Sequence, residues 1–161
     1  MHRRTILIGS ATAAAGLALT TELAVAQQPA DMDAIKAANA AFYAALSARD
    51  AKAMGGLWAN KPYVVNIGPR SKTVAVGYEE AVAKYWENAF TNVFSELSVT
   101  MTSTTQIQTD GKLAWVVVTE KALGKTKAGE PVAFETFATN IFEKDDNRWL
   151  MVSHQAGIQP K

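Results

Sequence analysis

The sequence predicts an α+β fold in which a strongly curved antiparallel sheet wraps as a cone around three helices from the N-terminal half. Three observations lead there. Apolar residues recur at helical spacing up to Phe90, and from Phe94 the period changes to two and stays there almost to the end of the chain. The middle of the strand region, Ala114–Val118, is apolar on both faces and therefore needs cover on both sides. Three helices can cover only one side of such a sheet. That leaves a conical cavity inside and an outer face to be buried by a second copy, so a homodimer through the outer sheet face is expected.

The 161 residues, 48% hydrophobic and 19% charged, suit one compact domain and not a disordered chain. With 16 Lys and Arg against 15 Asp and Glu, the chain lacks the basic excess that phosphate binding requires, so nucleic acid is not an expected partner. It has no cysteine and cannot be stapled by disulfides.

Residues 1–26 read as a signal peptide: Arg3-Arg4, an apolar run, then Ala24-Val25-Ala26 as a small-x-small cleavage site. The arginine pair before Thr5-Ile6-Leu7 resembles a bacterial twin-arginine signal, which implies a periplasmic location. A retained membrane anchor is the alternative, but Thr5–Thr21 is shorter than the ~20 apolar residues of a span. The domain then occupies 27–161, with basic and acidic residues in balance, free of membrane after cleavage. A neutral domain steers charged ligands weakly, which favours a small apolar or amphipathic molecule as partner.

Along the domain, Gln27–Ala30 reads as a tether and Asp31 as the N-cap of a helix over 32–47, with apolar positions Ile35, Ala38, Phe42, Ala45 and Leu46. Asp50 caps a shorter helix through Met54, Leu57 and Trp58, which Gly55-Gly56 weakens by roughly 1 kcal/mol per glycine. Pro62 forces extended chain, so Tyr63–Ile67 reads as a short strand ended by Gly68-Pro69, and Thr73–Val76 as a second. Gly77 opens a third helix with Ala81, Val82, Tyr85, Trp86, Ala89 and Phe90 on one stripe. A four-strand meander follows: a strand from Phe94 through Ile107, the Asp110-Gly111 turn, Lys112–Leu123, a turn over Gly124–Glu130, Val132–Glu143, the Asp145–Asn147 turn, and Trp149–Ile158.

The stretches Ala41–Asp50, Leu57-Trp58, Ile67–Pro69, Val76–Ala81 and Trp149–His154, in this order of elements, resemble the nuclear transport factor 2-like superfamily. Within it the chain is similar to SnoaL-like and ketosteroid-isomerase-like small bacterial proteins. The resemblance implies the cystatin-like α+β roll, often dimeric, with a pocket between helices and concave sheet. Its members include isomerases, cyclases, dehydratases, lyases and proteins that only bind or assemble, so the fold alone selects none of these.

Carried over position by position, the isomerase tyrosine falls at Phe42, the carboxylate base at Asn66 and the second aspartate near Ala138. None can perform the role, although a slip of one residue brings in Tyr43. Steroid-type isomerisation is disfavoured. Ser153 and Gln155 stand where many relatives carry a His-x-His pair. With no cysteine and His154 as the single histidine of the mature chain, no metal and no cofactor is expected.

The catalytic candidates are Glu135, His154 and Tyr43. Glu135 lies between Phe134 and Phe137, where a carboxylate forced among aromatics becomes an effective acid or base; alternatively it faces solvent and pairs with Lys121 or Lys125. Glu120 has the same ambiguity. His154 alternates with Leu150, Val152, Ala156 and Ile158, a setting that equally suits a hydrogen-bonded core histidine. The pocket candidates are Phe42, Trp58, Asn66, Tyr85, Trp86, Trp115, Phe137 and Asn140: aromatics that could equally be core, with two amides as neutral polar groups. Asn140 in mid-strand needs a partner. Binding of a small neutral or amphipathic molecule leads the functional readings. An acid/base isomerase, cyclase or dehydratase is one rival, and a dimeric assembly module with its pocket filled by its own aromatics is the other. Which face of each strand is concave decides which candidates belong to one site.

Overall fold

A computed structural model describes residues 15–160, with side chains from residue 29 onward. The basic start of the expected signal peptide lies outside the described residues. Helix α1 (Ala15–Ala48) runs through the expected tether and carries Pro29 inside it. Asp31 is therefore not an N-cap. Its carboxylate is buried and accepts from Lys144 Nζ at 2.6 Å and Trp149 Nε1 at 3.2 Å, which ties α1 to the sheet. No helix among the described residues is long and apolar enough to cross a membrane.

Further along α1, Ile35, Asn39, Phe42, Tyr43 and Leu46 form the buried stripe. Arg49 ends the helix at positive φ and donates to Phe94 O at 3.0 Å. Asp50 then caps α2 (Ala51–Gly56), its Oδ1 accepting from Ala53 N at 2.9 Å. Two short strands follow, β1 (Val65–Ile67) and β2 (Ala75–Val76). The third helical segment is not a regular helix. It is π-helical over Glu79–Ala83, α-helical over Lys84–Asn88 (α3) and π-helical again over Ala89–Val93. Its apolar residues repeat every four positions, a spacing that drifts on a 3.6-residue helix, and the wider π turns take up the drift.

The long strands β3 (Phe94–Thr109), β4 (Leu113–Thr126), β5 (Pro131–Asp145) and β6 (Arg148–Ile158) form the antiparallel meander. The β3–β4 turn places Gly111 at positive φ, and the β5–β6 turn does the same with Asp146 and Asn147. Strand β1 adds parallel to β6, giving one curved, open six-stranded sheet in the order β2-β1-β6-β5-β4-β3. The fold is thus α+β, with the helices against the concave face. Strand β4 extends beyond Leu123 because Gly124 lets Glu96 O of β3 approach where a side chain would stand.

Alternation along the strands settles which face is concave. On β4, Ala114, Val116, Val118, Glu120 and Ala122 are buried while Leu113, Trp115, Lys121 and Leu123 are exposed. On β5, Val132, Thr136, Ala138, Asn140 and Phe142 point inward. On β6 a bulge at Val152, opposite Ile141 and Phe142, changes the phase. Trp149 and Met151 are buried before it and His154 and Ala156 after it, so Leu150 does not share His154's buried face, while Ile158 is in phase with His154 but exposed at the end of the strand.

Candidate functional site

The inward residues of three strands and α1 build one polar network inside the cone. Glu120 and Thr136 are cross-strand partners on β4 and β5, and Thr136 Oγ1 donates to Glu120 Oε2 at 2.6 Å. The other carboxylate oxygen, Oε1, accepts from the Tyr43 hydroxyl of α1 at 2.5 Å. Asn140 Nδ2 donates to that same hydroxyl oxygen at 3.1 Å and to Asn39 Oδ1 at 2.8 Å. Asn39 Nδ2 in turn reaches Met101 Sδ at 3.0 Å. With its amide nitrogen so engaged, Asn140 presents Oδ1 to His154 Nδ1 at 2.7 Å. That assigns the proton of the neutral imidazole to Nδ1 and leaves Nε2 as the nitrogen with a free lone pair.

Burial sets the electrostatics. It pushes the His154 imidazole below its ordinary value of 6.5, while the nearby Glu120 carboxylate pulls in the opposite direction. The Tyr43 phenol is driven far above its ordinary range by burial, then by the charge of Glu120 and the hydrogen bond to it. Tyr43 is thus not an acid for a ligand, because its proton is committed to Glu120.

Beside this network lies a cavity of about 100 Å³. Glu120 and His154 are in its wall, with Trp86, Tyr85, Leu46, Val99 and Phe134 among the apolar and aromatic remainder. Tyr85, Phe134, Pro69, Ala89 and Phe94 also line a second, more open chamber of about 390 Å³, so they form a neck between the two. The inner chamber alone is smaller than the ~150 Å³ cavity that admits benzene, whereas both together fall in the ~300–1,000 Å³ of ordinary ligand sites.

The sequence-level candidates divide into three groups. His154, Tyr85 and Trp86 line the inner cavity. Phe42, Trp58, Asn66, Asn140 and Tyr43 are buried but stand behind its wall. Phe42 packs its ring against Tyr43, Trp58, Trp86 and His154, and Asn66 donates to Ala81 O at 2.9 Å. Glu135, Trp115 and Phe137 are corrections. All three lie on the outer face, exposed, because they alternate in phase with Lys121 or Ala133 and not with Val118 or Ala138. The acid buried in this network is Glu120, and Asn39 and Thr136 were not singled out from the sequence. Three buried atoms have no partner among the described residues: Trp58 Nε1, Trp86 Nε1 and Asn66 Oδ1. Two belong to tryptophans packed on Phe42, and the third to the residue beside His154 on the neighbouring strand. Each of the three is a buried polar atom left uncompensated in this part of the core. No group of three His, Asp or Glu side chains is placed to hold a metal ion among the described residues.

The family profile of the SnoaL-like domain matches residues 35–159, which include every member of the network. The chain belongs to the SnoaL-like family. The F-box protein SKIP8 of Arabidopsis thaliana is 32% identical to this SnoaL-like chain over 130 residues, 78% of the chain and 49% of that protein. The chain thus spans about half the length of that curated relative. Among solved structures, a candidate dehydratase of the NTF2-like family from Streptomyces avermitilis superimposes with a TM-score of 0.72 at 23% identity, covering 83% of this chain and 99% of the other. A candidate calcium/calmodulin-dependent protein kinase type II association domain from Thiobacillus denitrificans gives 0.62 at 26% identity, covering 78% and 94%. A ketosteroid isomerase-like protein from Erwinia carotovora gives 0.67 at 20% identity, covering 80% and 96%. These likenesses show that the chain shares the fold of NTF2-like proteins.

Proposed function

We propose that the cone binds a small, largely apolar molecule and that His154 moves a proton on it. The observation that carries this reading is the pairing of a neutral imidazole with a carboxylate in the wall of one otherwise apolar cavity. Both Glu120 oxygens already accept hydroxyl hydrogen bonds, so His154 Nε2 is the freer base. On taking a proton from a substrate carbon it becomes an imidazolium, which the Glu120 charge and Asn140 Oδ1 stabilise. The electron pair left on carbon either shifts into an adjacent π system, whose far carbon takes the proton back from the imidazolium, an isomerisation, or expels a β-hydroxyl group that takes that proton and leaves as water, a dehydration. Tyr43, Thr136 and Asn140 are positioning residues in this scheme.

Native mass spectrometry of the protein from its own source, against the same sample denatured, identifies a retained molecule. Incubation of that molecule in D2O then tests the chemistry. Carbon-bound deuterium incorporation that disappears in His154→Gln, with the fold kept, is expected. Retention without exchange would reduce the reading to binding alone.

A homodimer through the outer face belongs to the same proposal. Leu113, Trp115, Leu123 and Phe137 are 41–59% exposed there on adjacent strands, an apolar set that a second copy would cover. Sedimentation of the wild type against Phe137→Lys tests it.

A further inference from the structure

We propose that the ligand is an organic anion: an apolar body in the inner cavity and neck, with a terminal carboxylate held at the mouth by Arg70 and Lys72. This rests on the reading of the cavity as a ligand chamber and adds the chemical class of what enters it. The outer chamber is lined by Arg70 and Lys72 together with neutral polar side chains such as Asn88 and Thr126, and by no acid. Arg70 sits inside a tight turn and Lys72 follows directly after it. Gly68 N donates to Ser71 Oγ at 2.8 Å and Ser71 N donates to Gly68 O at 3.0 Å, which closes a tight turn around Pro69-Arg70.

That turn lays the Arg70 guanidinium 5.0 Å over the Phe134 ring. Phe134 is a wall of both chambers, so the positive charge, on a solvent-exposed residue, is held beside the neck. Among the other described cations, Lys36, Lys61, Lys84 and Lys144 each face a carboxylate and Arg49 and Arg148 donate to backbone carbonyls, while the exposed Lys52, Lys112, Lys121, Lys125 and Lys127 line neither chamber. Arg70 and Lys72 have no carboxylate within salt-bridge distance among the described residues. The planar fork of Arg70 suits a carboxylate, and stacking on Phe134 leaves its edge N–H groups available. Glu120 lies at the inner end, so an anion seated at the mouth keeps its apolar end toward the acid–base pair.

The test compares 4-phenylbutanoate with its uncharged isostere 4-phenylbutanamide by titration calorimetry. Binding of the acid roughly tenfold or more tighter than the amide is expected, the scale of one charge-assisted hydrogen bond. The preference should vanish in Arg70→Gln/Lys72→Gln, with amide affinity and melting temperature unchanged, which shows the chamber intact. Equal affinities in the wild type, or a preference that survives the double substitution, would overturn the anion assignment and leave the chamber standing. Failure of both probes to bind would overturn the assignment together with the ligand-chamber reading.

Discussion

Tyr43 on α1 and Glu120 on β4, 77 positions apart in the chain, share a 2.5 Å hydrogen bond inside the cone. The bond joins the helix to the sheet at the point where the sheet carries its buried acid. Tyr43→Phe removes the donor, strips Glu120 Oε1 of its partner and leaves one Asn140 N–H bond unmade. Loss of about 1–3 kcal/mol is expected, read as a lower urea midpoint with unchanged slope. Combined with Glu120→Gln the costs should be less than additive, since both substitutions break the same bond. Strict additivity would show that the two residues are not coupled.

His154 makes stability depend on pH. Its folded value lies below 6.5, so at mildly acidic pH the unfolded chain binds a proton that the folded chain refuses. The contribution is therefore fully present above 6.5 and is lost as pH falls through the folded value. Urea midpoints of the wild type should drop between pH 7.5 and 5 by more than those of His154→Gln, and equal slopes for the two proteins would refute this.

The fold was legible in the sequence because its signals are local. Asp50 as a cap, Asp110-Gly111 as a turn and the change of period at Phe94 each follow from a few neighbouring residues. The site was not, because membership depends on strand phase. The phase could have been read on β4, where Glu120 alternates with Val116, Val118 and Ala122 while Trp115 alternates with Lys121. It could not have been read on β6, where the Val152 bulge resets the alternation within one strand. Asn39 carried a signal too, as an amide in step with Ile35, Phe42 and Leu46. Asp31 misled because a carboxylate near a helix start suits a cap equally well. Only the pairing partner 113 positions away distinguishes the two roles.

That pairing yields a prediction about the chain's start. Asp31 and Lys144 are nearly buried, so Asp31→Ala leaves an ammonium group without its counter-charge and an indole N–H without its acceptor. A cost of about 3 kcal/mol is expected. Cleavage after Ala26, the export reading, keeps the clamp. A chain beginning at Gln27 should melt like the full chain, whereas one beginning at Ala34 should melt well below it.

Two glycines that look alike in sequence should respond oppositely to alanine. A Cβ on Gly124 would collide with backbone atoms of Glu96, which cannot move without parting β3 from β4. A Cβ on Gly68 would meet the tip of the Tyr85 side chain, which can swing away. Gly124→Ala is therefore expected to cost about 1–3 kcal/mol by overpacking. Gly68→Ala should cost less, yet it must displace a ring that stacks edge-on against Trp86 at 4.9 Å and lines both chambers. Near-ultraviolet circular dichroism should change in Gly68→Ala at nearly unchanged stability, and its affinity for a ligand that passes the neck should shift. In Gly124→Ala the melting temperature should fall while the aromatic spectrum of the folded protein stays as it was. If both variants lost stability equally with the aromatic spectrum unaltered, Tyr85 would not be the movable element of the neck.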